Sequence, residues 1–333
     1  MSYEFQPPEN EPEVSPVTPE EYLAEQKRSI RKKAYWALGI GGLVVIVHLG
    51  WLLLFSMAGM EPDFSVLLRS VFFILGLFAT IAGLYGLYYA RSLSLADIIP
   101  SEEAIEFARR SETSTAYYTI ILIGCILAVF IAQTVAGLEQ SVAAAGFVKP
   151  DFAEKGEYWR VLTGGALHGG LLHIYFNSQA LFGFGGLMEY LSNRAHLAIV
   201  FLLAVVGGGL LSYVFMPDGT SVGASGGIMG LIGYLAIYAY RRKEQLPPDF
   251  LRSMLVNVGF IAAFGLIAYQ LVDNFAHVGG FLVGAVYAFI QVPKDLTADP
   301  RRSSTALDVA GTVAIGIYIA EAVFAILRIT DVA

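Results

Sequence analysis

One cysteine, Cys125, stands in 333 residues. No intramolecular disulfide can form, and its place inside an apolar run assigns it a buried packing role without redox meaning. Charge is scarce as well. Asp, Glu, Lys and Arg make up 15% of the chain, against roughly 25% in soluble domains. No basic run resembles a nucleic-acid stripe. The net charge of -7 comes partly from the N-terminal tail, so it gives no ground for an acidic docking face. The first thirty residues lack an apolar core, so no cleavable signal peptide is expected. What is abundant is apolar sequence: 56% of residues are hydrophobic and the mean hydropathy is +0.61. A spanning helix needs about 20 mostly apolar residues, and about nine such segments are present. The chain is expected to be a polytopic membrane protein.

Residues 1 to about 25 are acidic and rich in proline (Pro7, Pro8, Pro12, Pro16, Pro19), which predicts a disordered tail. Lys27, Arg28, Arg31, Lys32 and Lys33 form a basic collar. Spans are expected at about 34–57, 70–90, 116–138, 169–190, 195–216, 225–240, 253–272, 275–292 and 306–329. A Glu-rich connector (Glu102, Glu103, Glu106, Glu112) follows the second span, and the 139–167 segment is too long for a simple turn. This divides the chain into a tail with its collar (1–33), two extra helices with the connector (34–115), a core (116–292) and a linker with a last helix (293–333). The distribution of Lys and Arg sets orientation. The collar, Arg109-Arg110, Arg194, Arg241-Arg242-Lys243 and Lys294 with Arg301-Arg302 all fall on one, cytoplasmic, side. The opposite loops at 61–65, 217–222 and 273–274 carry neither Lys nor Arg. The exception is the long loop with Lys149, Lys155 and Arg160. Ser225 and His277 then both start their helices at the extracytoplasmic face, at similar depth.

Those two residues carry the chemistry. Gly223-Ala224-Ser225-Gly226-Gly227 and Ala276-His277-Val278-Gly279-Gly280 set a hydroxyl and an imidazole in glycine. Gly226 and Gly230 are four apart, as are Gly280 and Gly284, which puts each pair on one helix face and lets backbones approach. Packing alone also explains a Gly-Ala-Ser-Gly. Asp218 to Ser221 reads as a loop, so Ser225 opens a helix whose first N–H groups are free to hold an oxyanion. His277 is the natural base, because a serine hydroxyl needs one within about 2.6–3.2 Å. Asp273 lies four residues before His277, so a third triad member is possible by spacing; a polar turn formed by Asp273 and Asn274 is the favoured alternative. His173 and Asn177 share a helix face and supply N–H donors suited to an oxyanion hole, or else to an interhelical hydrogen bond. Zinc at His168, His173 and His277 is disfavoured, because no His-Glu-x-x-His motif is present.

Together these residues resemble the rhomboid family of intramembrane serine proteases, over about 117–291. Trp159-Arg160 looks like the family's loop signature, and His168, His173 and Asn177 match its second core helix. Gly223-Ala224-Ser225-Gly226 matches the nucleophile motif opening the fourth core helix, and Ala276 to Gly280 with Gly284 matches the sixth. The resemblance implies an all-α fold with a six-helix core, here with two extra N-terminal helices and one extra C-terminal helix. It implies a Ser225–His277 dyad without a catalytic carboxylate, and His173, Asn177 and the Ser225 N–H as oxyanion hole. His168 would be structural, and Trp159 and Arg160 would anchor a loop lying partly in the outer leaflet. Substrates would be transmembrane segments in a lipid bilayer, entering near the fifth core helix, with no cofactor and no metal. Met229 departs from the pattern, standing where members often carry an aromatic that packs on the histidine.

The expected activity is endopeptidase cleavage of transmembrane segments, in a membrane that best fits a bacterial inner membrane. The competing readings are a non-proteolytic rhomboid-like binder or escort, and a transporter. The transporter lacks a path of charged residues across the spans.

Overall fold

The apolar runs become helices because a membrane-embedded backbone must satisfy its own N–H and C=O groups. In a computed structural model, the structure describes residues 18–61, 63–98, 107, 109, 115–247 and 250–331. It divides into two compact units, 1–100 and 101–333. The first seventeen residues of the expected tail, and most of the Glu-rich connector, lie outside the described residues.

In the first unit, helix α1 (Pro19–Met57) is followed by short α2 (Ser65–Arg69), α3 (Val71–Ser92) and short α4 (Leu95–Ile98). The tail expected to run to about Glu25 is helical from Pro19. Thr18 and Glu21 form a reciprocal capping box with Pro19 at the first position, which satisfies two free N–H groups. The Glu, Lys, Gln and Arg that follow are strong helix formers, so the charged collar extends the spanning helix as one rod. α1 packs on α3 where glycine permits it. Gly76 faces Val44 and Gly83 faces Leu38, with no room for a Cβ at either.

The second unit begins with α5 (Tyr117–Ala136). The long segment after it folds into α6 (Leu138–Ala145), β1 (Phe147–Val148), α7 (Lys149–Glu154) and α8 (Arg160–Thr163). Then come α9 (Leu171–Leu191), α10 (Arg194–Phe215), β2 (Thr220–Ser221), α11 (Ser225–Arg241), α12 (Phe250–Ile267), α13 (Asn274–Gln291) and α14 (Thr305–Thr330). β1 and β2 pair antiparallel, Phe147 opposite Ser221 and Val148 opposite Thr220. This short ladder ties the long loop to the segment that leads into Ser225.

Among the described residues nine long helices thus stand where nine spans were expected, but seven have the length and hydropathy to cross a membrane. The two that fall short are α9, diluted by His173, Asn177, Ser178, Gln179 and Glu189, and α11, only 17 residues long with four glycines. They are the helices that bear the candidate site. α11 is the most enclosed helix of the unit: Gly226 to Leu235 are all buried. α12 is the opposite, with only Met254 and Gly265 buried.

α11 and α13 form the central seam. A Cβ on Gly280 would strike the Gly226 carbonyl, and one on Gly284 the Gly230 carbonyl. These paired contacts, four residues apart on both helices, mean that α11 and α13 run parallel with their backbones touching.

Polar side chains lock the ends of the helices. Glu189 at the end of α9 accepts the Thr119 N–H at 2.7 Å and its hydroxyl at 2.8 Å, capping α5. Arg242 donates to the carbonyls of Asp295 (2.7 Å) and Ala298 (2.9 Å), pinning the α13–α14 connection.

Candidate active site

Ser225 is the first residue of α11 and is half-buried. The first backbone bond of this turn runs from the Ile228 N–H to the Ala224 carbonyl at 3.0 Å, so the Ser225 N–H is among the free donors of a helix start. Gly223 precedes it with φ +126°, a backbone that side-chain-bearing residues rarely adopt. Space demands glycine there as well. A Cβ on Gly223 would stand 2.8 Å from His173 Nε2 and 3.5 Å from Asn177 Nδ2. Both expected oxyanion residues therefore lie against the backbone two residues before Ser225.

Their hydrogen-bonding states suit that place. His173 Nδ1 accepts the Gly169 N–H at 3.4 Å. In a neutral ring this leaves the proton on Nε2, the nitrogen nearest Gly223. The Asn177 side chain is buried and its Nδ2 has no hydrogen-bond partner. Buried amide groups without partners are uncommon, and this one is a donor kept free.

His277 lies in the first turn of α13, also half-buried. Ala276 and Gly226, the chain neighbours of His277 and Ser225, meet across the seam: a Cβ on Gly226 would stand 3.6 Å from the Ala276 carbonyl oxygen. Ser225, Gly226, Gly223, Ser221, Asp273 and Ala276 line one small cavity of about 40 Å³, room for about one water. Ser225 and His277 share no hydrogen bond in the structure.

His168 is fully buried in the connection before α9. Its N–H donates to Gln133 Oε1 at 2.9 Å, and Gln133 Nε2 donates back to its carbonyl at 3.1 Å. The ring Nδ1 bonds the Ala166 carbonyl at 3.2 Å, and the ring packs edge-on against His173 at 5.1 Å. Burial first, then the neighbouring His173, push its pKa down to about 3. It stays neutral and shapes the loop under His173. Met229 is buried in the core of α11. Among the described residues no cluster of three His, Cys, Asp or Glu side chains is placed to hold a metal ion.

In the loop, the Trp159 indole meets Phe324 of α14 edge-on at 5.1 Å, with the Arg160 and Arg328 guanidinium groups at 4.7 and 5.4 Å. Arg160 is buried. It donates to the Gly146 carbonyl at 2.9 Å, bonds Glu157, and pairs with Asp151 at 3.2 Å. Lys149 is fully buried as well, 3.7 Å from Asp273. The loop's positive charges, the exception to the orientation pattern, are thus neutralised within the fold. Only Lys155 is exposed, paired to Asp151 at 2.9 Å.

Asp273, read by spacing as a turn residue, does more than turn the chain. Its Oδ1 caps α13 by accepting the Ala276 N–H at 2.9 Å, and its Oδ2 accepts the hydroxyls of Ser212 and Ser221. Burial alone would raise its pKa. The hydrogen bonds from Ser212, Ser221 and Ala276, with the Lys149 charge, outweigh that and hold it below its ordinary value. The sequence reading missed Lys149 and Ser212 as partners. The one available signal was a lysine on the side of the membrane where lysines are scarce.

Fold and site together define an all-α, multi-pass integral membrane protein with a serine and a histidine at adjoining helix starts. A rhomboid-domain family model matches residues 155–294. The chain is 30% identical over 140 residues to the Bacillus subtilis rhomboid YdcA, covering 42% of this chain and 70% of that one. It is 33% identical over 152 residues to rhomboid protease GluP of Bacillus subtilis, covering 45% of this chain and 29% of GluP. Over 153 residues it is 30% identical to inactive rhomboid protein 1 of Rattus norvegicus, covering 44% of this chain and 17% of that protein. The chain belongs to the rhomboid family. It spans less than a third of the length of GluP, and 44% of the mitochondrial RHOMBOID-like protein 6 of Arabidopsis thaliana.

Proposed function

We propose that the protein is an intramembrane serine endopeptidase that cleaves transmembrane segments of other membrane proteins. The observation that carries this reading is the convergence of His173 Nε2 and the unpartnered Asn177 Nδ2 on Gly223, beside the open helix start at Ser225. Two such donors beside the free N–H of a helix start suit a negative charge that forms only during reaction.

In this mechanism Ser225 Oγ attacks the scissile carbonyl carbon while His277 takes the hydroxyl proton. The oxyanion rests among the Ser225 N–H, His173 Nε2–H and Asn177 Nδ2–H. His277 returns the proton to the leaving amine, and water hydrolyses the acyl-enzyme, with His277 again as base. No carboxylate is assigned to the base, because the Asp273 oxygens are engaged by Ala276, Ser212 and Ser221. The basic collar supports a cytoplasmic N-terminus and a site toward the extracytoplasmic face, in a bacterial inner membrane.

A serine-reactive phosphonate tests this on the detergent-solubilised full chain. Labelling is expected in the wild type and absent in Ser225→Ala and His277→Ala. Labelling that survives Ser225→Ala overturns the mechanism. An unlabelled wild type favours the second reading, a non-proteolytic binder of membrane proteins. The likeness to an inactive rhomboid is what supports that alternative.

A further inference from the structure

Four segments of the chain meet at one carboxylate. Asp273 Oδ1 holds the Ala276 N–H at 2.9 Å, one residue before His277. Its Oδ2 holds Ser221, in the strand four residues before Ser225, and Ser212 at the end of α10. The fourth segment is the long loop, which delivers Lys149 to 3.7 Å from Oδ2. The Lys149 side chain has no exposed surface and its Nζ makes no hydrogen bond. Its backbone is fixed beside the site by the β1–β2 pairing and by its N–H on the Gly219 carbonyl at 3.2 Å. The carboxylate also forms part of the wall of the small cavity that Ser225 lines.

We propose that Asp273 is a positioning residue for Ser225 and His277, with Lys149 as its buried counter-charge. The proposal rests on reading that pair as nucleophile and base. The physical argument is geometric. Ser225 and His277 stand on different helices, and the glycine seam fixes how close those helices lie but does not fix the first turns. Asp273 binds the lead-in to Ser225 and the first turn of His277 through one rigid group. A misplacement of about 1 Å in a reacting pair costs about 100-fold in rate, so this link bears directly on reactivity. Lys149 makes the link depend on charge. A buried ammonium with no hydrogen bond is tolerated only beside its counter-ion, and removing one partner of such a pair is far worse than removing both.

The test uses the full chain in detergent and the phosphonate probe, resolving probe affinity from the limiting rate of Ser225 labelling, with thermal midpoints alongside. Asp273→Asn keeps one acceptor, its Oδ1 for the Ala276 N–H, replaces the acceptor of the two serines by an amide N–H that their hydroxyl oxygens can accept, and strands the lysine charge. It is expected to lower the limiting rate about 10- to 100-fold with probe affinity unchanged. Lys149→Met is expected to act in the same direction. The double variant Lys149→Met/Asp273→Asn, with no buried charge left, is expected to recover to within about threefold of wild type. A purely structural role would lower midpoints and folded yield in the single variants and restore them in the double variant, while the limiting rate of the folded protein stayed at the wild-type value. If Asp273→Asn alone does not fold, Lys149→Met against the double variant carries the same comparison. Wild-type limiting rates in Asp273→Asn or Lys149→Met, or a double variant no faster than the single ones, would overturn the proposal. Labelling that persists in Ser225→Ala overturns the reading beneath it instead.

Discussion

Gly280→Ala adds one methyl group to α13, and the structure says where it goes. The new carbon collides with the Gly226 carbonyl oxygen and stands 2.9 Å from that carbonyl carbon and 3.2 Å from the Gly226 Cα. Comfortable separations are about 3.5 Å or more, so α11 and α13 must part by roughly 1 Å. Overpacking of this kind costs about 1–3 kcal/mol. Gly226 is the residue after Ser225 and Gly280 is three after His277, so the same displacement separates the two side chains. A separation of about 1 Å predicts a loss of about 100-fold in the rate of phosphonate labelling. Gly259→Ala on α12 and Gly316→Ala on α14 are the controls, because a Cβ at either meets nothing within 4 Å. There the substitution removes a poor helix former and is worth up to about 1 kcal/mol in the favourable direction. Labelling rates and thermal midpoints of the three variants in detergent decide the matter. If Gly280→Ala labels within threefold of wild type, the seam does not set the geometry of the pair.

Two further predictions concern groups away from the reacting atoms. His168 is held neutral, with its pKa depressed to about 3 from an ordinary value near 6.5. Its contribution is fully present above pH 6.5 and declines as pH falls toward 3, at about 1.4 kcal/mol per pH unit. Thermal midpoints are expected to drop between pH 7 and 5, and His168→Gln to flatten that drop; an unchanged slope refutes the assignment. Glu321 on α14 is buried and neither carboxylate oxygen has a hydrogen-bond partner. Glu321→Met is therefore expected to stabilise by about 1–3 kcal/mol, or roughly 2–4 °C in Tm for each kcal/mol, and a lower Tm would reveal a partner for that acid.

The helices were readable in the sequence because a lipid environment requires long apolar runs, and the starts at Ser225 and near His277 were marked by glycine and by polar loop residues. The start of α1 was equally readable: Thr18-Pro19-Glu20-Glu21 is a capping-box signature, outweighed by the acidic, proline-rich composition around it. Other features were not readable. A two-residue ladder between Phe147-Val148 and Thr220-Ser221 has no periodicity to detect. Spacing showed that Asp273 lies one turn before His277. It could not show that Ser212 and Lys149, about 60 and 120 residues away, converge on the same oxygen. Nothing in the neighbourhood of Trp159 signals its contact with Phe324. In each case local sequence described the residue and distant sequence supplied its partner.

The parallel seam has a consequence for synthesis. α11 and α13 can lie parallel only because α12 carries the chain back between them, so His277 is made about 50 residues after Ser225. At roughly 5–20 residues per second, Ser225 precedes His277 by several seconds. During that interval Gly226 and Gly230 face α10 at Ala204 but not yet α13, and Lys149 lacks Asp273, its counter-ion. On the proposed mechanism, Ser225 therefore has no reactivity to display during its own insertion and acquires it when α13 docks.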